Sequence, residues 1–435
     1  LDLKPDYARA LAYLGAGYFE KDSSSSENVR RAIESSKKAL KKDDTLALPH
    51  YTLGQIYDKQ GLLSSAAEEY KKSLELDPNN GMAYYKLGVI QYLRRDHRNA
   101  LNSFEKAQEL LQDFHKASYN LGLTAQKLGK TNTAIKAYNN ALQVKPDYTK
   151  ALINLGLLYY ENGFMDKAIE CYSRAVEAEP NNPEAHIKLG DAYRKKEMYT
   201  KSKKHYQIAL ELKPDKDLAH YNLSILYENE EMYNKAVEEL KKAIEINKND
   251  KRYYYNLGNN YAKLEKYSEA IHVYEKAIEI DPQYMEAYNN ISDLYIKNNL
   301  YEKALATLRK AINLNPHSLP ARINLGNALL KNELYREAQK QFEKSLEINP
   351  LSPEAHFGLA TACLELNEED KAVTEYLRAI KADNSFTQAY EPLGNLLLKQ
   401  GKKKEALHIY KSLLAVDPNY SNKANIKSII KRLES

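Results

Sequence analysis

Tryptophan is absent from these 435 residues, phenylalanine occurs 7 times and cysteine twice. Two thiols, Cys171 and Cys363, exclude a disulfide framework and declare no oxidising compartment. There is no run of about eighteen apolar residues to read as a membrane-spanning helix, so insertion into a membrane is not expected. Leu1 is not followed by the charged and apolar stretches of an export signal. Blocks of one charge sign are missing as well: 64 Lys and Arg are interspersed with 59 Asp and Glu, which argues against a nucleic-acid arm or an acidic tail. The sequence also lacks a glycine-rich phosphate loop, HExxH, CxxC and GxSxG. No catalytic residue, metal or cofactor is expected, and the chain reads as a non-enzyme.

Tyrosine, by contrast, is abundant at 36 residues, in a chain that is 43% apolar and able to bury a core. So many polar-tipped rings suit an elongated protein better than one compact core. A period explains them. Gly54, Gly88, Gly122, Gly156, Gly190, Ser224, Gly258, Ser292, Gly326, Ala360 and Gly394 follow one another at steps of thirty-four, each preceded by Leu or Ile. Twelve residues after each stands a second small residue, from Ala66 through Ser202 to Ala406, and four further on a large one, such as Tyr70, Phe104, Tyr138, Tyr172 and Tyr274.

With the first small residue as position 8, repeats begin at residues 8, 47, 81, 115, 149, 183, 217, 251, 285, 319, 353 and 387. Proline closes most of them at position 32, as Pro78, Pro146, Pro180, Pro214, Pro282, Pro316, Pro350 and Pro418, with Gln112, Lys248 and Asn384 as departures. Positions 3, 7, 11 and 14, with 4 and 8, form an apolar stripe at helical spacing. Small residues at 8 and 20 admit a partner helix, and the proline is expected to end the second helix. Neither helix buries its face alone, so neighbouring repeats must stack.

These residues resemble the tetratricopeptide repeat, over residues 1 to 420. The resemblance implies an all-α solenoid of twelve helix-turn-helix repeats over 8–420, curved into a right-handed superhelix with a concave and a convex face. Residues 1–7 are expected to be the tail of a preceding repeat, so that the native chain extends upstream, and 421–435 a C-terminal capping helix. The five extra residues of the first repeat, Ser23 to Glu27, are expected in the turn between its helices.

On the first helix, positions 2, 5, 6, 9, 12 and 13 fall away from the partner helix and would line the concave channel. Position 6 holds Asn120, Asn154, Asn222, Asn256, Asn290 and Asn324, interrupted by Lys188. Asn there costs about 0.5 kcal/mol relative to Ala, so six of them cost about 3 kcal/mol without local return. A carboxamide can donate to and accept from an extended peptide backbone, or bond to an adjacent repeat; both readings stand at this point. The pattern is similar to the asparagine ladder in the superhelical repeats of O-GlcNAc transferase, which implies a peptide-holding role for these six. Position 5 carries Tyr51, Tyr85, Tyr119, Tyr221, Tyr255 and Phe357, and position 13 carries Lys59, Lys127, Lys195, Lys263, Lys297, Lys331 and Lys399. These lanes fit either an extended segment with acidic and apolar side chains, or inter-repeat packing beneath solvated lysines.

The expected activity is therefore protein–protein interaction, with a protein or extended peptide as partner and nucleic acid disfavoured. Two alternatives are the recognition arm of a larger glycosyltransferase-like enzyme and a rigid scaffold that uses the convex face. No repeat has the Lys at position 5 that the resemblance implies for gripping a chaperone C-terminus. His50, His186, His220 and His356 all occupy position 4 and are expected to be structural, as are the two cysteines.

Overall fold

The computed structural model describes residues 5–434, among which there are 25 α-helices, one short 3-10 turn at Thr387–Ala389 and no strand. The helices fall into two compact units that part after Pro214. The first holds six antiparallel pairs, from Pro5–Lys21 with Ser26–Lys42 to Pro183–Lys195 with Tyr199–Leu212. The second holds six more, from Asp217–Asn229 with Tyr233–Ile246 to Tyr390–Lys399 with Lys403–Val416, and the helix Lys423–Glu434. Of that last helix Ile426 is fully buried, and Ile429, Ile430 and Leu433 pack on the core beneath it.

Packing within each pair follows from the size of two residues. Gly54, Gly88, Gly122, Gly156 and Gly190 at position 8 face Tyr70, Phe104, Tyr138, Tyr172 and Tyr206 at position 24, all five rings buried. A Cβ on Gly156 would stand 2.6 Å from Cε1 of Tyr172, well inside van der Waals contact. Where position 24 is Leu240 or Leu308, position 8 is Ser224 or Ser292. In these repeats the summed volume is thus roughly conserved, as close-packed interiors require, while the repeat with Ala360 opposite Tyr376 adds one methyl group.

The turn between the helices of a pair is a Schellman motif. Position 15 is left-handed in every repeat from residue 47 onward, with φ from 56° at Asn299 to 80° at Gly163. The next amide closes back on the first helix, as in Leu62 N–H to the Tyr57 carbonyl at 2.9 Å and Met198 N–H to Tyr193 at 2.9 Å. Glycine takes this position at residues 61, 129, 163 and 401, whereas Arg95, Glu197, Glu231, Glu265 and Glu333 hold it with a side chain.

Four expectations are corrected. Position 14 is the C-cap of the first helix and mostly exposed, whereas position 10 is buried in every repeat from Ile56 to Leu396, so the stripe runs 3, 7, 10 and 11. Proline at 32 does not stop the second helix, because His97–Leu110, Tyr233–Ile246 and Glu369–Ala382 end at position 30 without it. Where position 31 is Asp or Asn it folds the chain by accepting the amide two residues on, as Asp77 does from Asn79 at 3.0 Å and Asn247 from Asn249 at 3.1 Å, whereas Leu111, Lys145, Glu179 and Lys213 hold the same place without such an acceptor. The extra residues of the first repeat mostly lengthen helices: Ser26–Lys42 starts a turn early, and only residues 22–25 lie between. Finally, Pro5–Tyr7 belong to the first helix and not to a preceding tail, while residues 1–4 lie outside the described residues. A proline at the start of a helix forfeits no backbone bond.

Candidate functional site

Four of the six position-6 asparagines are joined to position-5 tyrosines. Asn120 Nδ2 donates to the Tyr85 hydroxyl at 3.3 Å, Asn154 to Tyr119 at 3.2 Å, Asn256 to Tyr221 at 2.9 Å and Asn290 to Tyr255 at 3.2 Å. Each bond links position 6 of one repeat to position 5 of the repeat before, a spacing of thirty-five. Of the two readings of the ladder, this is the inter-repeat one, as far as one N–H of each carboxamide is concerned. Asn324 has no tyrosine to reach, since Asn289 occupies position 5 of the preceding repeat. Asn222 occupies the same position in the first repeat of its unit.

The rings of this lane also serve packing. Tyr85 lies 6.0 Å from Phe104 and 4.9 Å, edge-on, from Phe114. Tyr119 stands likewise between Tyr138 and Tyr148, Tyr255 between Tyr274 and Tyr284, and Phe357 between Tyr376 and Phe386. Tyr51 packs on Tyr70 and accepts from Gln55, because the next repeat carries Lys86 in place of Asn. Burial raises the pKa of Tyr51, Tyr85 and Tyr119 above the usual phenol value, so their hydroxyls stay protonated at neutral pH. These tyrosines pin the asparagines and seal the repeat junction.

Beside this lane lies a polar cavity in residues 215–434. Glu228, Asn259, Lys263, Tyr274, Asn290, Asp293 and Lys297 line one cavity of about 360 Å3 across three successive repeats. Positions 6, 9, 12 and 13 therefore share a wall, with the tip of the position-24 tyrosine at its floor. Tyr274 O–H donates to Asn259 Oδ1 at 2.7 Å, and Asn290 Nδ2 donates to the same oxygen at 2.9 Å. Tyr206 to Asp191 at 2.6 Å and Tyr410 to Asn395 at 2.7 Å repeat the first of these bonds. Burial lifts the carboxyl of Glu228 above its ordinary range, against a hydrogen bond from Asn260 at 3.4 Å. Sequence reading placed position 9 on the channel face but did not single out its residues, although the run Asn259, Asp293, Asn327, Thr361 and Asn395 is visible.

The lysine lane is divided. Lys59 donates to Ser23 at 2.7 Å and Lys399 pairs with Glu369 at 2.6 Å. Lys127, Lys195, Lys263, Lys297 and Lys331 are exposed and make no hydrogen bond or ion pair with the described residues.

The position-4 histidines face position 23 of the partner helix. His50 meets Glu69 at 2.6 Å, His220 meets Glu239 at 2.5 Å and His356 meets Glu375 at 2.6 Å. Burial opposes ionisation of Glu239, yet hydrogen bonds from His220 and Lys242 hold its carboxyl below the usual range. The fourth pair is unlike: His186 Nδ1 meets His205 Nδ1 at 3.0 Å. His186 Nε2–H donates to the Pro180 carbonyl at 3.0 Å, so its Nδ1 accepts and His205 donates. Burial, with His186 and Lys204 nearby, pushes His205 down to about 4. A depressed histidine pKa leaves the fold at full strength above the ordinary value near 6.5 and weakens it as pH falls from there toward about 4. His205→Glu is expected to recreate the pair of the other three repeats. In thermal melts its advantage over the wild type should widen from pH 7.5 to pH 5, and a constant difference would refute the assignment.

Cys171 and Cys363 are buried within helices, and desolvation pushes both thiols up to about 11, where the nucleophilic thiolate is scarce. Among the described residues no three His, Cys, Asp or Glu side chains gather to hold a metal ion, and no helix is long and apolar enough to cross a membrane.

Family models of the tetratricopeptide repeat match residues 59–93, 119–186, 183–216, 218–250, 252–284, 286–318, 323–385 and 387–420. The chain belongs to the tetratricopeptide-repeat family. Among solved structures it is similar to YrrB, described as a TPR protein with an unusual peptide-binding site, at 26% identity over 43% of this chain and 96% of that one, with a TM-score of 0.40. MamA gives 30% identity over 38% and 96%, with a TM-score of 0.36. Yeast Tom70 gives 18% identity over 99% and 96%, with a TM-score of 0.44. No curated protein matches the chain.

Proposed function

We propose that this tetratricopeptide-repeat chain is a non-catalytic interaction module that holds an extended segment of a partner protein along the face made by its first helices. One observation carries the reading. Asn120, Asn154 and Asn256 each have one N–H anchored on a tyrosine of the preceding repeat, which fixes the carboxamide and leaves its second N–H, and for Asn120 and Asn154 the whole carbonyl, for a visiting backbone. A pre-oriented amide binds without the entropy loss of a free one. The exposed lysines Lys127, Lys195, Lys263, Lys297 and Lys331 supply sites for acidic side chains of the segment. The same lane resembles the asparagine ladder of O-GlcNAc transferase, where the corresponding face holds peptide.

The test is a triple variant, Asn120→Ala, Asn154→Ala and Asn256→Ala, in the full chain. Segments recovered by cross-linking from lysate would be synthesised and titrated by fluorescence anisotropy. Affinity is expected to fall by about tenfold or more, equivalent to losing one or two hydrogen bonds net. Unchanged affinity with unchanged helicity would overturn the reading.

A further inference from the structure

The wall that carries the asparagines changes chemistry along the chain, with Gln55 and Asp191 polar and Ile225 apolar at position 9. In residues 215–434 position 9 is polar from Asn259 to Asn395. In residues 5–214 three successive repeats place Val89, Leu123 and Leu157 there, with Tyr92 and Tyr160 at position 12 and Leu93 at position 13. Leu93 is 61% exposed, and the other five are half-buried. Their inner edges touch the core, as Val89, Tyr92, Leu123 and Tyr160 do. The cavity of the other unit shows that positions 6, 9, 12 and 13 of neighbouring repeats converge on one wall. Helix stability does not ask for leucine at these positions, since Asn, Asp or Lys stands at the same places elsewhere in the chain. Three apolar residues in register, with Asn120 and Asn154 on the neighbouring position 6, thus give a strip that mixes amide groups with apolar side chains.

We infer that this strip receives the apolar side chains of an extended polypeptide segment in which every third residue is apolar. The inference rests on the function proposed above and adds the chemistry of the ligand. The first helices that carry Val89 and Leu123 touch, and touching helices lie about 8–10 Å apart. An extended polyproline-like chain advances about 3.1 Å per residue, so three residues span about one repeat. Side chains at i, i+3 and i+6 fall over Val89, Leu123 and Leu157, while the intervening residues project outward and the backbone meets the asparagines.

The experiment uses the full chain and two fluorescein-labelled peptides of one composition. One has leucine at every third position with serine and threonine between, and the other has its leucines contiguous. The spaced peptide is expected to bind at least about tenfold more tightly, the effect of burying one leucine side chain. Leu93→Lys with Leu123→Asn, which imports the residue types found at Lys263 and Asn259, should erase that preference without changing helicity. Equal affinities for the two peptides, or a preference that survives this variant, would overturn the inference. Asn120→Ala with Asn154→Ala separates it from the function on which it rests. If both peptides weaken equally there and the wild type shows no preference between them, backbone reading stands and the apolar strip falls. Sedimentation of the peptide-free chain adds one more arm: a self-association abolished by Leu93→Lys would give the strip to a second copy and sink the proposal.

Discussion

Gly156→Ser is expected to destabilise residues 5–214 by about 2 kcal/mol, and Tyr172→Leu by about 2–3 kcal/mol, whereas the two together should come back most of the way toward wild type. The single serine places atoms where Tyr172 Cε1 stands 2.6 Å from an added Cβ, and the ring is buried, with no room to swing. The single leucine leaves a void in front of a glycine. Together they reproduce Ser224 with Leu240 and Ser292 with Leu308, pairings the chain already uses. The non-additivity, about 2 kcal/mol in a double-mutant cycle, is the diagnostic quantity. Urea titration followed by circular dichroism measures it. Additive losses would show that positions 8 and 24 are packed independently.

The second large effect concerns the left-handed turn residues. Replacing Arg95, Glu197, Glu231, Glu265 and Glu333 by glycine is expected to stabilise the chain at each site by about 1 kcal/mol, because a side chain at φ near 60° crowds the following carbonyl. Glycine returns part of that gain through its freedom in the unfolded chain, which is why the lower end of the range applies. The sites lie at least a repeat apart and should add, to about 3–5 kcal/mol for all five. Asn299 and Asn367 have the same conformation but a residue type that tolerates it, so Asn299→Gly should change little. A thermal midpoint that rises stepwise with each glutamate or arginine removed, and stays still for Asn299, would confirm the cause. A uniform absence of change would mean that the Schellman bonds, such as Met232 N–H to Tyr227 at 2.8 Å, fully absorb the strain.

The candidate site was half legible. Asparagine at position 6 and tyrosine at position 5 were both visible as lanes, but the bond between Asn154 and Tyr119 joins one repeat to the repeat before it, at thirty-five residues. Reading the two lanes side by side within one repeat hides that offset. The signal existed: Tyr85, Tyr119, Tyr221 and Tyr255 are each followed thirty-five residues later by Asn. Position 9 was placed on the channel face, but its residues were not singled out because they run through Gln55, Val89, Leu123, Leu157, Asp191, Ile225 and Asn259, so no single type recurs to mark them. The histidines were placed on the packing side from their register, yet a partner nineteen residues away on an antiparallel helix could be named only from the fold.

Sequence alone determined the helix pairs, because a small residue at position 8 and a large one at 24 recur in a register that only two packed helices satisfy. It determined the repeat length and the family for the same reason. The tertiary structure decided what local pattern does not encode. A glutamate at position 15 reads as an ordinary helix former, and only the closure of two helices forces it left-handed. A carboxamide at position 6 has one N–H occupied or free according to which side chain the neighbouring repeat presents. Periodicity assigns a residue to a face, but the partner on that face comes from a segment distant along the chain, and contact is settled only when both segments are folded.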